Sequence, residues 1–398
     1  MEQVTVFFTT ISYEGHDYRA HGAIDEHRHL DTWTISDLES PSLVGRIYRA
    51  KVVDLVPSMH CAFVLLDKQT KAYLPFSSCD HPLRSDEELL VQVETDAIKT
   101  KFAVVTQLYE LKSEHCGLTY GSGVHGVSKK LSKKEREDWK AFLEEYDDST
   151  GHLLLRTNVA GCSKEDIRQE VDGLMSDAAD LAHRGAHATC FSLLYEPPSD
   201  IIPSMRRYMA LYGDSLSDGN FRVVTDEKGI YEELTEACAN GAVDLPAEML
   251  SLYMDTSYPL FKLYSLSSQL EELLQKTVWL DSGANILIES METLTAIDVN
   301  SAKKQGKKKR SDEVFALNLE AGKEIARQLR LRNISGMILI DFVNMEAESD
   351  QEALLNAMKS YVKQDERKVN VLDITKLGLM ELTREKVSKS LKQTVKKS

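Results

Sequence analysis

At 398 residues the chain exceeds what one hydrophobic core usually supports, so a single small module is excluded. Its 42% hydrophobic and 28% charged residues match an ordinary soluble globular protein rather than a disordered one, and no run reaches the roughly 20 apolar residues needed to span a bilayer. The net charge of −15 excludes a uniformly basic surface, but residues 301–398 hold 21 Lys plus Arg against 14 Asp plus Glu, leaving −22 on the remainder, so a polyanion meets a locally positive C-terminal portion.

The first residues, Met1 to Thr5, show no basic segment followed by an apolar run, so no secretory signal is read and a cytoplasmic location is expected. Six cysteines, Cys61, Cys79, Cys116, Cys162, Cys190 and Cys238, occur without a C-x-x-C pair, as expected of reduced thiols. Residues 43–52, 62–66 and 72–76 read as closely spaced short strands, joined by a further pair at 89–93 and 101–105, and this spacing predicts a small barrel or meander. Ser132-Lys133-Lys134-Glu135 is a capping box opening a helix with Trp139, Phe142 and Leu143 on one face. Ser163 opens a second helix, with Ile167, Val171, Leu174 and Leu181 in register. Between them His152 to Thr157 reads as a short buried strand, and Glu196-Pro197-Pro198 marks a boundary.

Beyond a mixed stretch at 202–275, residues 285–289 and 293–300 read as paired strands. The basic run Lys303 to Arg310 leads to a helix capped by Ser311-Asp312 and reaching about Arg332. The run Met337 to Val343, apolar apart from Asp341, then predicts a buried central strand, covered on both faces, Ser349 to Glu352 a second capping box, and 370–374 a last strand.

Residues two apart on a strand share a face, so Asp298 and Asn300 point together, and Asp341 sits at a strand end, where a carboxylate meets either a core partner or a site. Two carboxylates and an amide oxygen are the hard donors magnesium prefers. On pattern alone, a turn cap at Asp298 and a buried salt bridge at Asp341 are the commoner uses of such residues, and spacing does not establish that the two meet.

Glu292 to Ser301, Asn318 to Ala321, Glu324 to Asn333, Gly336 to Met345 and Leu377 to Arg384, taken in order, resemble the catalytic segment of the ribonuclease E/G family. The resemblance implies an endoribonuclease that hydrolyses single-stranded RNA to 5′-phosphate and 3′-hydroxyl ends. It places catalytic Mg2+ on Asp298 and Asp341, with Asn300 in support. It further implies an RNase H-like scaffold (1–41 and 201–276), an inserted OB-fold RNA-binding module (42–107), a 5′-sensor region (108–200) and a DNase I-like α/β catalytic unit (277–398). Phe63, Tyr73 and Lys101 match the RNA-binding surface of the OB-fold, although Phe63 and Tyr73 serve equally well as plain barrel core. Arg156 and Thr157 match the pocket for an RNA 5′-monophosphate, which a guanidinium fork and a hydroxyl suit chemically. Messenger-RNA decay and ribosomal or transfer RNA processing are the implied roles.

Two departures are visible. No cysteine follows Cys238, so the zinc-sharing cysteine pair of the family is not found; a zinc-linked tetramer is not expected and a homodimer stays compatible. In this and in size the shorter ribonuclease G type is the nearer likeness. Asn344 stands where the family usually has Asp, and its odd separation from Asp341 puts it on the other strand face. The alternative reading is a non-catalytic RNA-binding protein that retains the fold.

Overall fold

The computed structural model describes residues 3–97, 101–121, 123–147, 151–301 and 311–395. The basic run Lys303–Arg310 lies outside them. The chain divides into two compact units, Ser42–Pro198 and Met1–Pro41 with Ser199–Ser398, and among the described residues the strands form four sheets. No described helix is long and apolar enough to cross a membrane.

In the unit Ser42–Pro198, the strand Ile47–Val56 pairs in turn with Cys61–Leu65, and Cys61–Leu65 with Lys71–Pro75. The sheet continues through Ala103–Thr106 to Glu88–Thr95, which returns to Ile47–Val56 and closes a five-stranded barrel. Period-two alternation drives this closure. Ala50, Val52, Ala62, Val64, Ala72, Leu74, Val91 and Val105 are fully buried inside, and the residues between them face out. A second sheet in this unit joins Glu110–Lys112, Cys116–Tyr120, Gly151–Leu155 and Gly126–Val127. The helices Lys133–Leu143 and Lys164–His187 cover it through Trp139, Phe142, Ile167 and Val171. Both helices start where the sequence places them, with Ser132 and Ser163 accepting from the backbone N–H of Glu135 and Asp166.

In the other unit, Val4–Tyr13 is central to a sheet ordered Leu250–Leu252, Phe221–Thr225, Val4–Tyr13, His16–Ile24, Leu30–Asp37. It is buried on both faces: Val4, Val6 and Phe8 join one core, and Phe7, Ile11 and Tyr13 another.

The last sheet is ordered Thr277–Trp279, Asn285–Ser290, Leu294–Asn300, Gly336–Asp341, Leu379–Arg384, Val369–Ile374. Helices Ser311–Leu331 and Glu348–Tyr361 cover one face, where Ile286, Ile288, Ile297, Val299, Ile338 and Ile340 meet Leu317, Ala321, Ile325, Leu354 and Met358. Each such side chain contributes roughly 1.5–3 kcal/mol on burial, so a one-residue slip that turned the set outward is strongly disfavoured. Asn333 at φ 46° and Gly336 at φ 91° turn the chain from the first helix into the strand Gly336–Asp341, and Ile334 N–H caps Leu329 O.

Two expectations are corrected here. Gly336–Asp341 is buried on one face only: Ile338 and Ile340 are buried, whereas Met337 is 53% exposed and Leu339 half-buried. An all-apolar run does not reveal how many layers cover it. The helix expected to be capped by Ser349 starts at Glu348, with Ala347 as its N-cap and no side-chain cap; Ser349 therefore lies inside the first turn, where Glu348 and Asp350 complement the helix dipole.

Candidate active site

Asp298 and Asp341 stand directly opposite each other on the parallel strands Leu294–Asn300 and Gly336–Asp341. Their phase sets their face. Ile297, Val299 and Ile340 turn into the helix-covered core, so Asp298 and Asp341 turn to the other side with Ala296 and Leu339. Asp298 is half-buried and Asp341 exposed. Asn300, two residues from Asp298 on the same face, donates from Nδ2 to Asp298 Oδ2 at 2.7 Å. The three residues singled out in the sequence therefore lie together.

Their chemistry suits a hard cation. Two carboxylates facing one another repel unless a cation lies between them, and a carboxylate-plus-amide oxygen set leaves room for water and phosphate ligands. Among the described residues, no group of three or more His, Cys, Asp or Glu side chains is arranged to hold a metal. Glu381 pairs with Leu339 across the next strand and lies on the same face, diagonal to Asp341. The sequence reading passed over it because its strand was recognised only as a motif. Asn344 is exposed and lies beyond the last strand residue, so strand phase does not govern its direction.

On the barrel, Phe63 and Tyr73 are cross-strand partners that face outward between fully buried neighbours, which rules out the plain-core reading. Their rings lie 6.1 Å apart, edge to face, and Phe102, 46% exposed, stands 5.2 Å from Phe63. Lys71 Nζ lies 4.7 Å from the centre of the Phe63 ring and also pairs with Asp54 at 2.6 Å. Exposed Lys101 precedes Phe102. Phe102 escaped the sequence reading, which placed it inside a strand; the strand begins one residue later, at Ala103.

Arg156 and Thr157 follow the strand Gly151–Leu155 directly, and Arg156 N–H donates to His115 O at 2.8 Å. Thr157 Oγ1 and Ser128 Oγ are 2.8 Å apart, and Ser128 N–H is bonded to Leu155 O, so two hydroxyls gather at the end of this strand, next in the chain to Arg156. His115 is held in turn by Glu170, which accepts from its backbone N–H at 2.7 Å and lies 2.8 Å from Nδ1. Burial alone would raise the Glu170 carboxyl, but hydrogen bonds from Ser113 and from the backbone and ring of His115 outweigh it and hold the group below the ordinary range. Burial pushes the neighbouring Cys116 thiol up to about 11, so it is no nucleophile at neutral pH. All six cysteines are free.

Residues 111–387 match the model of the Ribonuclease E/G family. The chain is 28% identical over 374 residues to Ribonuclease G of Salmonella typhimurium, covering 89% of this chain and 75% of that protein. It is 28% identical over 377 residues to Ribonuclease E of Escherichia coli, covering 89% and 35%, and 31% identical over 314 residues to the chloroplastic Ribonuclease E/G-like protein of Arabidopsis thaliana, covering 78% and 31%. With the family model spanning well over half its length, the chain belongs to the ribonuclease E/G family.

Proposed function

We propose that the protein is a magnesium-dependent endoribonuclease that cuts single-stranded RNA to leave 5′-phosphate and 3′-hydroxyl ends and acts in RNA processing or decay in the cytoplasm. The observation that carries this reading is the pairing of Asp298 with Asp341 on the uncovered face, with Asn300 fixed to Asp298. Its relatives named Ribonuclease G and Ribonuclease E support the substrate class.

In this reading Asp298 and Asp341 hold the ion, and Asn300 keeps the Asp298 carboxylate turned towards it. Magnesium supplies a water of lowered pKa and stabilisation of charge on the phosphate oxygens. Phe63, Tyr73 and Phe102 offer ring faces for stacking bases, a grip indifferent to sequence, and Lys101 adds a phosphate contact. Arg156, Thr157 and Ser128 bind a terminal 5′-monophosphate, whose dianion suits a guanidinium fork better than an internal diester does. The barrel is read as an OB-fold, the sheet around Val4–Tyr13 as an RNase H-like scaffold and the sheet around Gly336–Asp341 as a DNase I-like catalytic unit. A homodimer is the proposed assembly.

The test is a 5′-monophosphorylated AU-rich oligonucleotide with the purified protein, in MgCl2 and in EDTA, with end analysis of the products. Metal-dependent internal cleavage with the stated ends supports the proposal. Binding without cleavage in a folded, metal-replete sample supports the non-catalytic alternative.

A further inference from the structure

We infer that Asn318 is the positioning residue that holds Asp341 in place for the divalent cation, an inference that rests on the metal-site reading above. Asn318 lies in the middle of the helix Ser311–Leu331 and is fully buried, with Leu317 and Ala321 in the core around it. Asparagine is a mediocre helix former, and a buried amide is unfavourable unless both its ends are bonded. Both are: Nδ2 donates to Val343 O at 2.7 Å, and Val343 N–H donates to Oδ1 at 3.1 Å.

Val343 is two residues past Asp341, where the strand ends. Up to Asp341 the backbone is fixed by ladders to Leu294–Asn300 on one side and Leu379–Arg384 on the other; beyond it those ladders stop. The Asn318 amide takes over there, presenting one donor and one acceptor to the same residue as a strand neighbour would. Gln351 Nε2 adds a second tie at Met345 O, 2.9 Å away. This matters at Asp341 in particular because neighbouring carboxylates repel until a cation is bound, and Asp341 is the last laddered residue of its strand, so the segment that follows it has no strand neighbour to hold it. A leucine at 318 would fill the space without either hydrogen bond, an aspartate would keep the acceptor but lose the donor, and a glutamine would be one methylene too long.

The test compares the parent with Asn318→Leu and Asn318→Asp. Binding of MnCl2 to the RNA-free protein, followed by electron paramagnetic resonance, is expected to weaken about tenfold in both variants. The MgCl2 needed for half-maximal cleavage should rise by a similar factor, with the rate largely restored at saturating metal. Melting in EDTA and RNA affinity in EDTA report on fold and grip, and should not move in parallel. A folded variant that binds Mn2+ as tightly as the parent overturns the inference and leaves the metal site standing; a parent that binds no Mn2+ removes the metal site, and the inference with it. Should both variants fail to fold, amide exchange in the metal-free parent decides: slow exchange at Val343 N–H supports the clamp, and exchange as fast as an open loop overturns it.

Discussion

Asp298 and Asp341 occupy the same ladder position on two neighbouring parallel strands, and both turn away from the helices Ser311–Leu331 and Glu348–Tyr361. The core on the other side is what puts them there. Ile297, Val299, Ile338 and Ile340 must all be buried together, and that requirement fixes the register which makes the two carboxylates meet. The meeting of the two carboxylates is in this sense a by-product of packing on the opposite face.

Replacing Phe63 or Tyr73 by Ala should weaken single-stranded RNA binding by about 1–3 kcal/mol each, the value of one stacked base. Because both side chains face outward, melting should change little. Fluorescence anisotropy with a short oligonucleotide checks the affinity; in kinetics the loss should appear as a higher KM at nearly constant kcat. An unchanged affinity in both variants would remove the barrel face from the RNA path.

Arg156→Ala should abolish preference for a 5′-monophosphate over a 5′-hydroxyl while sparing the rate on the hydroxylated end. Ser128→Ala should reduce the preference less, since its hydroxyl acts beside that of Thr157. Paired cleavage assays on the two ends measure this. Equal rates on both ends in the parent would contradict the sensor assignment.

Glu170 carries a pH signature. Its folded pKa is depressed below the ordinary 4.5, so its hydrogen bonds to His115 contribute stability that is complete above that value and is lost as pH falls through the lower folded pKa. Glu170→Gln should therefore lower stability by about 1–3 kcal/mol at neutral pH. The gap in melting temperature between parent and variant should close on acidification below pH 4.5. A gap that persists or widens in acid would refute the role given to this carboxylate.

Legibility in the sequence followed local pattern. Leu294–Asn300 was readable because it alternates, and Ser132 and Ser163 because capping is a matter of three residues. Val4–Tyr13 was placed only by resemblance: it is rich in strand formers, but Val6, Phe7 and Phe8 are all buried, and a strand covered on both faces loses the alternation that marks one. The apolar run before Asp341 was read as doubly buried for the converse reason: Met337 and Leu339 are apolar on a face that the helices do not cover. Asn318 was visible only as part of a motif, because its partner Val343 is 25 residues away and nothing local announces the pairing. The meeting of Asp298 with Asp341 was likewise a matter of register, which depends on two segments at once.

The most direct measurement is single-turnover cleavage of one 5′-monophosphorylated RNA by the parent, Asp298→Asn and Asp341→Asn in MgCl2, with RNA affinity measured in parallel. Each substitution keeps the side-chain shape and removes one ligand charge. The account predicts a loss on the order of 10³-fold in rate for each, with affinity held within a few-fold. Full activity in either variant, with the protein folded and RNA bound, would contradict it.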